Sequence, residues 1–280
     1  MSEGTQASAA ADQESPLPAP VPLTQAGVLI AGGTGGVGLA TALSFADAGV
    51  RRVALMGRDP TRGELALAEL ARHHPDLQAV FVQGDAVEAA QAEAAVAETE
   101  RRIGDVDVFV SSVTGGVSTA VMPGPLHTKP IEHILPTVVN QLIPPLHMTR
   151  AVIERMRVRR CGVVINIASD AAKVPTPGEA VIGAAMAGIV RFSTTVALEA
   201  KRFGVRVNVI TPSLIVGTSA HEQLMANEFA SKLFAKALKA AHLGATTPED
   251  IAPLIVFLAS PDAARITGQV ISVNGGISVA

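Results

Sequence analysis

Residues 31–38, with the sequence AGGTGGVG, constrain the fold more than any other part of the chain. They follow a short apolar run and precede an Ala-rich stretch with helical spacing, which predicts a strand, a tight glycine turn and a helix. Glycines let the backbone approach a pyrophosphate closely, and the amino end of a helix supplies free N–H groups. The segment therefore predicts a dinucleotide site, the alternative being a glycine-rich turn without a ligand. Its candidate cofactor-binding residues are Gly32, Thr34, Gly35, Gly36, Val37 and Gly38.

The rest of the chain continues this alternation of short apolar runs and Ala-rich stretches. Strands are predicted at 27–31, 52–56, 79–83, 106–111, 162–168, 205–210 and 270–273, and helices at 36–48, 61–73, 88–102, 131–157, 180–203 and 249–258. Several strands lack polar alternation, as expected where helices cover both faces of a parallel sheet. The pattern predicts an α/β fold, a Rossmann-like doubly wound seven-stranded parallel sheet in a single domain over 26–280. An additional helical segment at 219–241 is a candidate substrate lid, because ligands bind at the carboxyl ends of such strands.

Composition narrows the possible partners and the location of the chain. A formal net charge of −3 and the lack of a Lys/Arg block argue against nucleic acid. Cys161 is the single cysteine, so neither a disulfide nor a metal site is expected. Residues 1–25 are rich in Ala, Ser, Gln and Pro and are predicted to form a disordered tail without the features of a secretory signal. No stretch suggests a membrane span, so a cytoplasmic protein is expected.

The residues after the second and third predicted strands bear on which dinucleotide is bound. Gly57 stands where an acidic residue would accept the ribose hydroxyls of NAD(H), and Arg58 follows it. With no carboxylate at position 57, Arg58 favours a 2′-phosphate and therefore NADP(H) over NAD(H), the alternative being that Arg58 is a solvated residue after the strand. Asp85, next to Ala86, is placed to accept a hydrogen bond from the adenine amino group or to form a turn.

Seven motifs together carry a resemblance to a known family. They are AGGTGGVG at 31–38, GRD at 57–59, GD at 84–85, VVN at 138–140, INIAS at 165–169, VNVITP at 207–212 and ITGQVISVNGG at 266–276. In order and spacing the chain resembles the short-chain dehydrogenase/reductase family from about residue 26 onward. The resemblance implies a homodimer or homotetramer that transfers hydride between NAD(P)(H) and an alcohol or carbonyl of a small-molecule substrate.

The resemblance also implies a set of catalytic positions, of which two depart from the family. Asn140 and Ser169 match the family's catalytic Asn and Ser, but Ile182 and Met186 stand where its Tyr and Lys are expected. The chain contains no Tyr, so a second copy of it cannot supply one. The family's Tyr is a general acid/base, and loss of such an acid costs about 10² to 10⁴ in rate.

Three further positions near the nicotinamide end follow from the resemblance. The family's N-N-A-G reads Ser111-Ser112-Val113-Thr114 here, and its P-G reads Pro212-Ser213. Ser111, Pro212 and Thr218 are therefore the expected cofactor contacts at that end. These departures change pocket polarity and backbone freedom but leave the phosphate contacts intact, so cofactor binding is still expected.

Two classes of function remain open at this point. The first is an NADP(H)-dependent enzyme acting on a small apolar substrate: it would reduce an activated double bond or an iminium ion, or use the cofactor as a scaffold for a dehydration, isomerisation or cyclisation. The second is a non-catalytic protein, either a subunit of a hetero-oligomer with an active homologue or a redox-sensing binding protein. The residues that could replace the missing Tyr as an acid, called substitute acids below, are Asp170, Lys173, Glu179, His127 and His133. Residues of these types are common on surface loops, where they have no catalytic role.

Overall fold

A seven-stranded parallel sheet organises the computed structural model, which describes residues 16–113 and 121–280. Its strand order is β3-β2-β1-β4-β5-β6-β7, and every neighbouring pair is parallel. This confirms the predicted fold class. The strands are β1 (Gly27–Ala31), β2 (Arg52–Gly57), β3 (Gln78–Gln83), β4 (Val108–Ser111), β5 (Gly162–Ile167), β6 (Val205–Pro212) and β7 (Val270–Val273).

Helices cover both faces of the sheet, as the apolar strands require. They are α1 (Gly36–Asp47), α2 (Pro60–His73), α3 (Ala89–Ile103), α4 (Ile134–Arg159), α5 (Ala180–Ala200), α6 (Ser219–Met225), α7 (Glu228–Ala240) and α8 (Pro248–Ala259). One core, which includes Phe45, Leu70 and Ile255, joins α1, α2 and α8 to the sheet. The other, which includes Val96 and Met156, joins α3, α4 and α5 to the opposite face.

The order of the strands reverses between β1 and β4. The chain runs outward from β1 through β2 to β3, then returns to β4 on the other side of β1. Crossover connections leave this point in opposite directions, which opens a crevice at the carboxyl ends of the two strands. The glycine turn after β1 lies at this crevice.

Several boundaries differ from the sequence-based expectations. The segment 219–241 is two helices rather than one, because the Asn227 side chain accepts a hydrogen bond from Ala230 N at 2.9 Å and starts α7 anew. Of the predicted tail 1–25, residues 1–15 lie outside the described part of the chain. Val21 and Leu23, in the remaining part of the predicted tail, are partly buried against the core. A 3₁₀ turn, Ile131–His133, precedes α4.

Helix α5 corrects the expectation that no segment has the character of a membrane span. The stretch Ala180–Phe203 is long and apolar enough by length and composition. In the fold, however, Val181, Ala185 and Ile189 are buried, and α5 packs beside α4 and β6. These contacts are those of a core helix.

Candidate functional site

The glycine turn after β1 has a backbone that only glycine can form. Gly32 has a φ of 76°, and a Cβ atom there would lie 2.4 Å from the Ser112 carbonyl oxygen. Gly38 lies inside α1, where a Cβ atom would lie 2.2 Å from the Gly32 carbonyl oxygen. The first glycine thus permits the turn, and the second lets the helix start close against it.

A cleft of about 440 Å³ opens over this turn at the switch point between β1 and β4. The predicted cofactor-binding residues that line it are Gly32, Thr34, Gly35, Gly36, Val37, Arg58, Asp85, Ala86 and Thr218. Asn140 lines it as well. The sequence reasoning missed a further set of lining residues, which includes Asp59, Arg62, Val87, Ser112, Val113, Ile215, Ser219 and Gln223.

Charged side chains gather at the end of the cleft that follows β2. Arg58 Nη1 lies 3.8 Å from Asp85 Oδ2, and both side chains are partly exposed. The Asp59 carboxylate accepts hydrogen bonds from the backbone N–H groups of Thr61 and Arg62 at 2.9 and 3.3 Å, so it caps the start of α2. The cap explains why a carboxylate can stand here without acting as a ribose ligand.

Gly38, Ser111 and Pro212 do not line the cleft. Gly38 is buried against the turn, and Pro212 is the buried last residue of β6. Ser111 is only 2% exposed, and its hydroxyl has no hydrogen-bond partner among the described residues. Ser112 and Val113 occupy the wall in its place, whereas Thr114 lies outside the described residues.

The expected catalytic positions lie on α4, just after β5 and on α5, and among them only Asn140 lines the cleft. Asn140, on α4, donates from Nδ2 to the Pro136 carbonyl oxygen at 2.8 Å. Ser169 precedes a 3₁₀ turn, Asp170–Ala172, and its Oγ accepts a hydrogen bond from Ala171 N at 3.3 Å. The first turn of α5 packs on this turn, since a Cβ atom on Gly183 would lie 2.9 Å from the Ala171 carbonyl oxygen.

Ile182 and Met186 extend an apolar cluster rather than a polar relay. Met186 is 6% exposed, and together with Ala168, Ile189 and Val209 it forms the buried part of the cluster. Ile182 packs against the same group. Neither the Ile182 nor the Met186 side chain has a group that can donate or accept a proton at neutral pH.

Comparison with known proteins agrees with this geometry. A family model described as "Enoyl-(Acyl carrier protein) reductase" matches residues 31–278. The chain is also 31% identical over 256 residues to a 3-oxoacyl-[acyl-carrier-protein] reductase of Synechocystis sp., covering 91% of this chain and 98% of that protein. The chain belongs to the short-chain dehydrogenase/reductase family.

Two further comparisons, one with a curated relative and one with a solved structure, also span most of the chain. An inactive 2-(S)-hydroxypropyl-CoM dehydrogenase 2 of Xanthobacter autotrophicus is 32% identical over 230 residues, covering 81% of this chain and 95% of that one. The crystal structure of levodione reductase superposes with a TM-score of 0.82 at 26% identity, covering 90% of this chain and 97% of that chain. Family members bind nicotinamide cofactors, and the cleft of this short-chain dehydrogenase/reductase lies at the switch point of its sheet, where folds of this kind bind ligands.

Asp170 and Lys173, two of the substitute acids considered from the sequence, form hydrogen bonds with residues 272–278. The buried Asp170 carboxylate accepts hydrogen bonds from Asn274 Nδ2 at 2.6 Å, Ser278 Oγ at 2.7 Å and Ser272 Oγ at 3.2 Å. Lys173 Nζ donates to Ser272 Oγ at 2.5 Å. These partners give Asp170 and Lys173 a structural role beside Ser169.

Glu179 differs from these residues because burial acts on its carboxyl group without a compensating charge. It is half-buried immediately before α5, three residues ahead of Ile182. Burial raises the pKa of Glu179 from its ordinary value of 4.5 to about 7. His127 and His133 lie in 3₁₀ turns before α4, and neither lines the cleft.

Proposed function

We propose that the chain is an NADP(H)-binding member of the family that acts on a small apolar substrate without a Tyr–Lys proton relay. The proposal rests on two observations: a cleft opens over the glycine turn, and Ile182 and Met186, at the expected catalytic positions, pack into an apolar cluster. The cleft supports cofactor binding, and the apolar cluster argues against chemistry that needs a proton from these two positions.

The residues present fit a dinucleotide. Gly32 and the amino end of α1 would hold the pyrophosphate, because a close backbone and free N–H groups favour an anion there. Asp85 would accept from the adenine amino group with the carboxylate oxygen that faces Arg58, since its Oδ1 already accepts from Val87 N at 3.0 Å. Of the three residues expected beside the nicotinamide, Thr218 lines the cleft, whereas Ser111 and Pro212 are buried behind its surface.

The preference for NADP(H) over NAD(H) is part of the proposal. Gly57 ends β2 without a carboxylate, and Arg58 lies beside it in the cleft. Two acids lie nearby: Asp59, whose Oδ1 caps α2, and Asp85, whose Oδ2 is 3.8 Å from Arg58 Nη1. A 2′-phosphate would compete with Asp85 for the Arg58 guanidinium and would meet no carboxylate at position 57.

When bound, NADPH supplies a hydride to an electron-poor carbon. Within this chain, Ser169 accepts a hydrogen bond from the backbone, which leaves its hydroxyl hydrogen available to an oxygen anion of the substrate. Asn140 uses one amide hydrogen on Pro136 and keeps the other. Two neutral donors can stabilise a developing enolate whose carbon later takes a proton from water. A conjugated double bond or an iminium ion suits this arrangement better than a ketone, and the family model's description also names an enoyl substrate.

We further propose that α6 and α7 form the lid over the substrate. Thr218, Ser219 and Gln223 line the cleft from the start of α6. Helix α7 is held by a small separate core that includes Leu214 and Phe234. Because this core is distinct from the two that flank the sheet, the pair of helices can move with little cost to the rest of the domain.

A second candidate function is a non-catalytic subunit that pairs with an active homologue. The observation that favours it is the relative described as an inactive dehydrogenase, which matches most of the chain. A non-catalytic subunit would use the same cofactor cleft, but on its own it would reduce no acceptor.

Two measurements on the purified protein test the proposal. Fluorescence titration is expected to give a dissociation constant for NADPH about tenfold or more below that for NADH, the scale of one charge-assisted hydrogen bond. Turnover is then measured with a panel of simple ketones and a matched panel of conjugated enones. We expect enone reduction only. Ketone reduction at ordinary enzymatic rates would contradict the proposal, and no turnover of either panel would favour the non-catalytic subunit.

A further inference from the structure

Two arginines lie at the end of the cleft that follows β2, and their surroundings differ. Arg58 Nη1 lies 3.8 Å from Asp85 Oδ2, and its side chain is 59% exposed. Arg62 lines the same cleft from the first turn of α2. Within residues 16–113 and 121–280, its guanidinium has no carboxylate within ion-pair distance. Arg58 must share its charge with a neighbouring acid, whereas Arg62 can give its full charge to a ligand.

The position of the Arg62 guanidinium is set by the glycine turn. A Cβ atom on Gly35 would lie 3.0 Å from Arg62 Nη2, which is tighter than ordinary van der Waals contact. The Gly35 backbone is extended, with a φ of 173°, so its conformation would accept other residues. The absence of a side chain at Gly35 therefore leaves space for the guanidinium directly above the turn.

A hydroxyl group completes this end of the cleft. A Cβ atom on Gly57 would lie 3.1 Å from Thr34 Cγ2 and 3.6 Å from Thr34 Oγ1. Thr34 thus stands against the end of β2, between the turn that holds Arg62 and the residue that precedes Arg58. Thr34, Arg58 and Arg62 all line the cleft, and two guanidinium groups with a hydroxyl are a combination that suits a dianionic phosphate.

We propose that Arg62 is the principal ligand of the cofactor 2′-phosphate, with Arg58 as the weaker second cation. The inference rests on the NADP(H) preference proposed above and assigns it chiefly to a different residue. A fork of N–H donors without a competing carboxylate binds a phosphate more strongly than one paired with an acid.

The test compares alanine variants in fluorescence titrations with NADPH and NADH. Arg62→Ala is expected to weaken NADPH binding by about 10- to 100-fold, the scale of charge-assisted hydrogen bonds, and NADH binding by less than about threefold. Arg58→Ala is expected to have a smaller effect on NADPH. Arg72→Ala is the matched control, because Arg72 lies on the same helix but pairs with Glu69 outside the cleft. It should leave both affinities unchanged.

Competition with adenosine 2′-monophosphate and adenosine 5′-monophosphate distinguishes recognition of a 2′-phosphate from recognition of a 5′-phosphate. The wild type and Arg72→Ala should prefer the 2′-isomer, and Arg62→Ala should lose that preference. Equal weakening of NADPH and NADH by Arg62→Ala would place Arg62 on the pyrophosphate and overturn the inference. A larger effect of Arg58→Ala, or no effect of Arg62→Ala, would also overturn it. Failure of the proposed function is distinct, because the wild type itself would then bind both cofactors equally or neither.

Discussion

At the scale of single residues, the proposed chemistry depends on Ile182 and Met186. They lie one helical turn apart on α5 and pack into the same apolar cluster. Neither can move a proton, and Ser169 and Asn140 donate only as neutral groups. Under the proposed function, these residues would stabilise a negative oxygen but would not supply the proton that the reduction of a ketone needs.

The double change Ile182→Tyr with Met186→Lys tests whether the site could regain that step. A phenol needs a nearby cation to bring its pKa down from about 10, so each single change should achieve little. We expect NADPH-dependent ketone reduction from the double variant only, measured by loss of NADPH absorbance. Because Met186 is nearly fully buried, the Lys should also lower the melting temperature.

The single variants are the controls for this experiment, and circular dichroism checks that all three fold. A double variant that folds and binds NADPH but reduces no ketone would show that the substrate pocket differs in more than these two residues.

Glu179 gives the protein a pH dependence of stability whose sign can be worked out. In the unfolded chain its carboxyl titrates near 4.5, and in the folded chain near 7. Between these values the unfolded chain carries fewer protons, so stability falls as pH rises through this window and does not recover above it. Glu179→Gln should therefore match the wild type at about pH 4 and melt a few degrees higher at about pH 8. Melting curves across this range are the measurement, and a variant less stable at the higher pH would contradict the assignment.

Residue-level roles were predictable only where local sequence carries them. Gly32 and Arg58, which the sequence patterns singled out, both line the cleft, since the position of each depends on a strand and the turn next to it. The place of Arg62 depends on the space above Gly35, and the partners of Asp170 lie about a hundred residues away. No local pattern records such contacts.

At the scale of elements, α8 is held at its carboxyl end by an arginine from β6. Arg206 is 9% exposed, and its guanidinium donates to the carbonyl oxygens of Leu258, Ala259, Ser260 and Ile266. Burial lowers its pKa, and the helix carbonyls compensate for the loss of water. The residue connects the last helix to the sheet.

Arg206→Met is expected to lower the free energy of unfolding by about 2–4 kcal/mol, because several buried carbonyls lose a charged donor at once. Arg202→Met, at an exposed arginine four residues earlier, should cost less than about 1 kcal/mol. Urea denaturation followed by circular dichroism measures both. Similar costs for the two variants would contradict the role given to Arg206.

Element boundaries show where sequence patterns suffice. The strands were predicted within about two residues, because runs of Val and Ile between glycines and polar residues leave little choice. The break between α6 and α7 was missed, because an Asn with a following Glu inside an Ala- and Lys-rich stretch also suits an exposed helix position. Only the hydrogen bond from Ala230 N to the Asn227 side chain shows that a new helix starts there rather than that one helix continues.

At the scale of the whole molecule, large apolar side chains remain uncovered on the helices that flank β4 and β5. Leu135 and Val158 on α4 and Leu198 on α5 are each about two-thirds exposed or more. Self-association would remove such surface from water. We expect a homodimer or homotetramer by light scattering during size-exclusion chromatography. A stable monomer that associates only when an active homologue is added would favour the non-catalytic subunit instead.

The hydrogen bonds between Asp170 and the C-terminal segment have a practical consequence for handling the protein. Asn274 and Ser278 bond to the carboxylate next to Ser169, and the Ala280 carbonyl oxygen lies 3.5 Å from Ser272 Oγ. An affinity tag attached after Ala280 would begin beside this network, so we expect it to disturb the turn that carries Ser169.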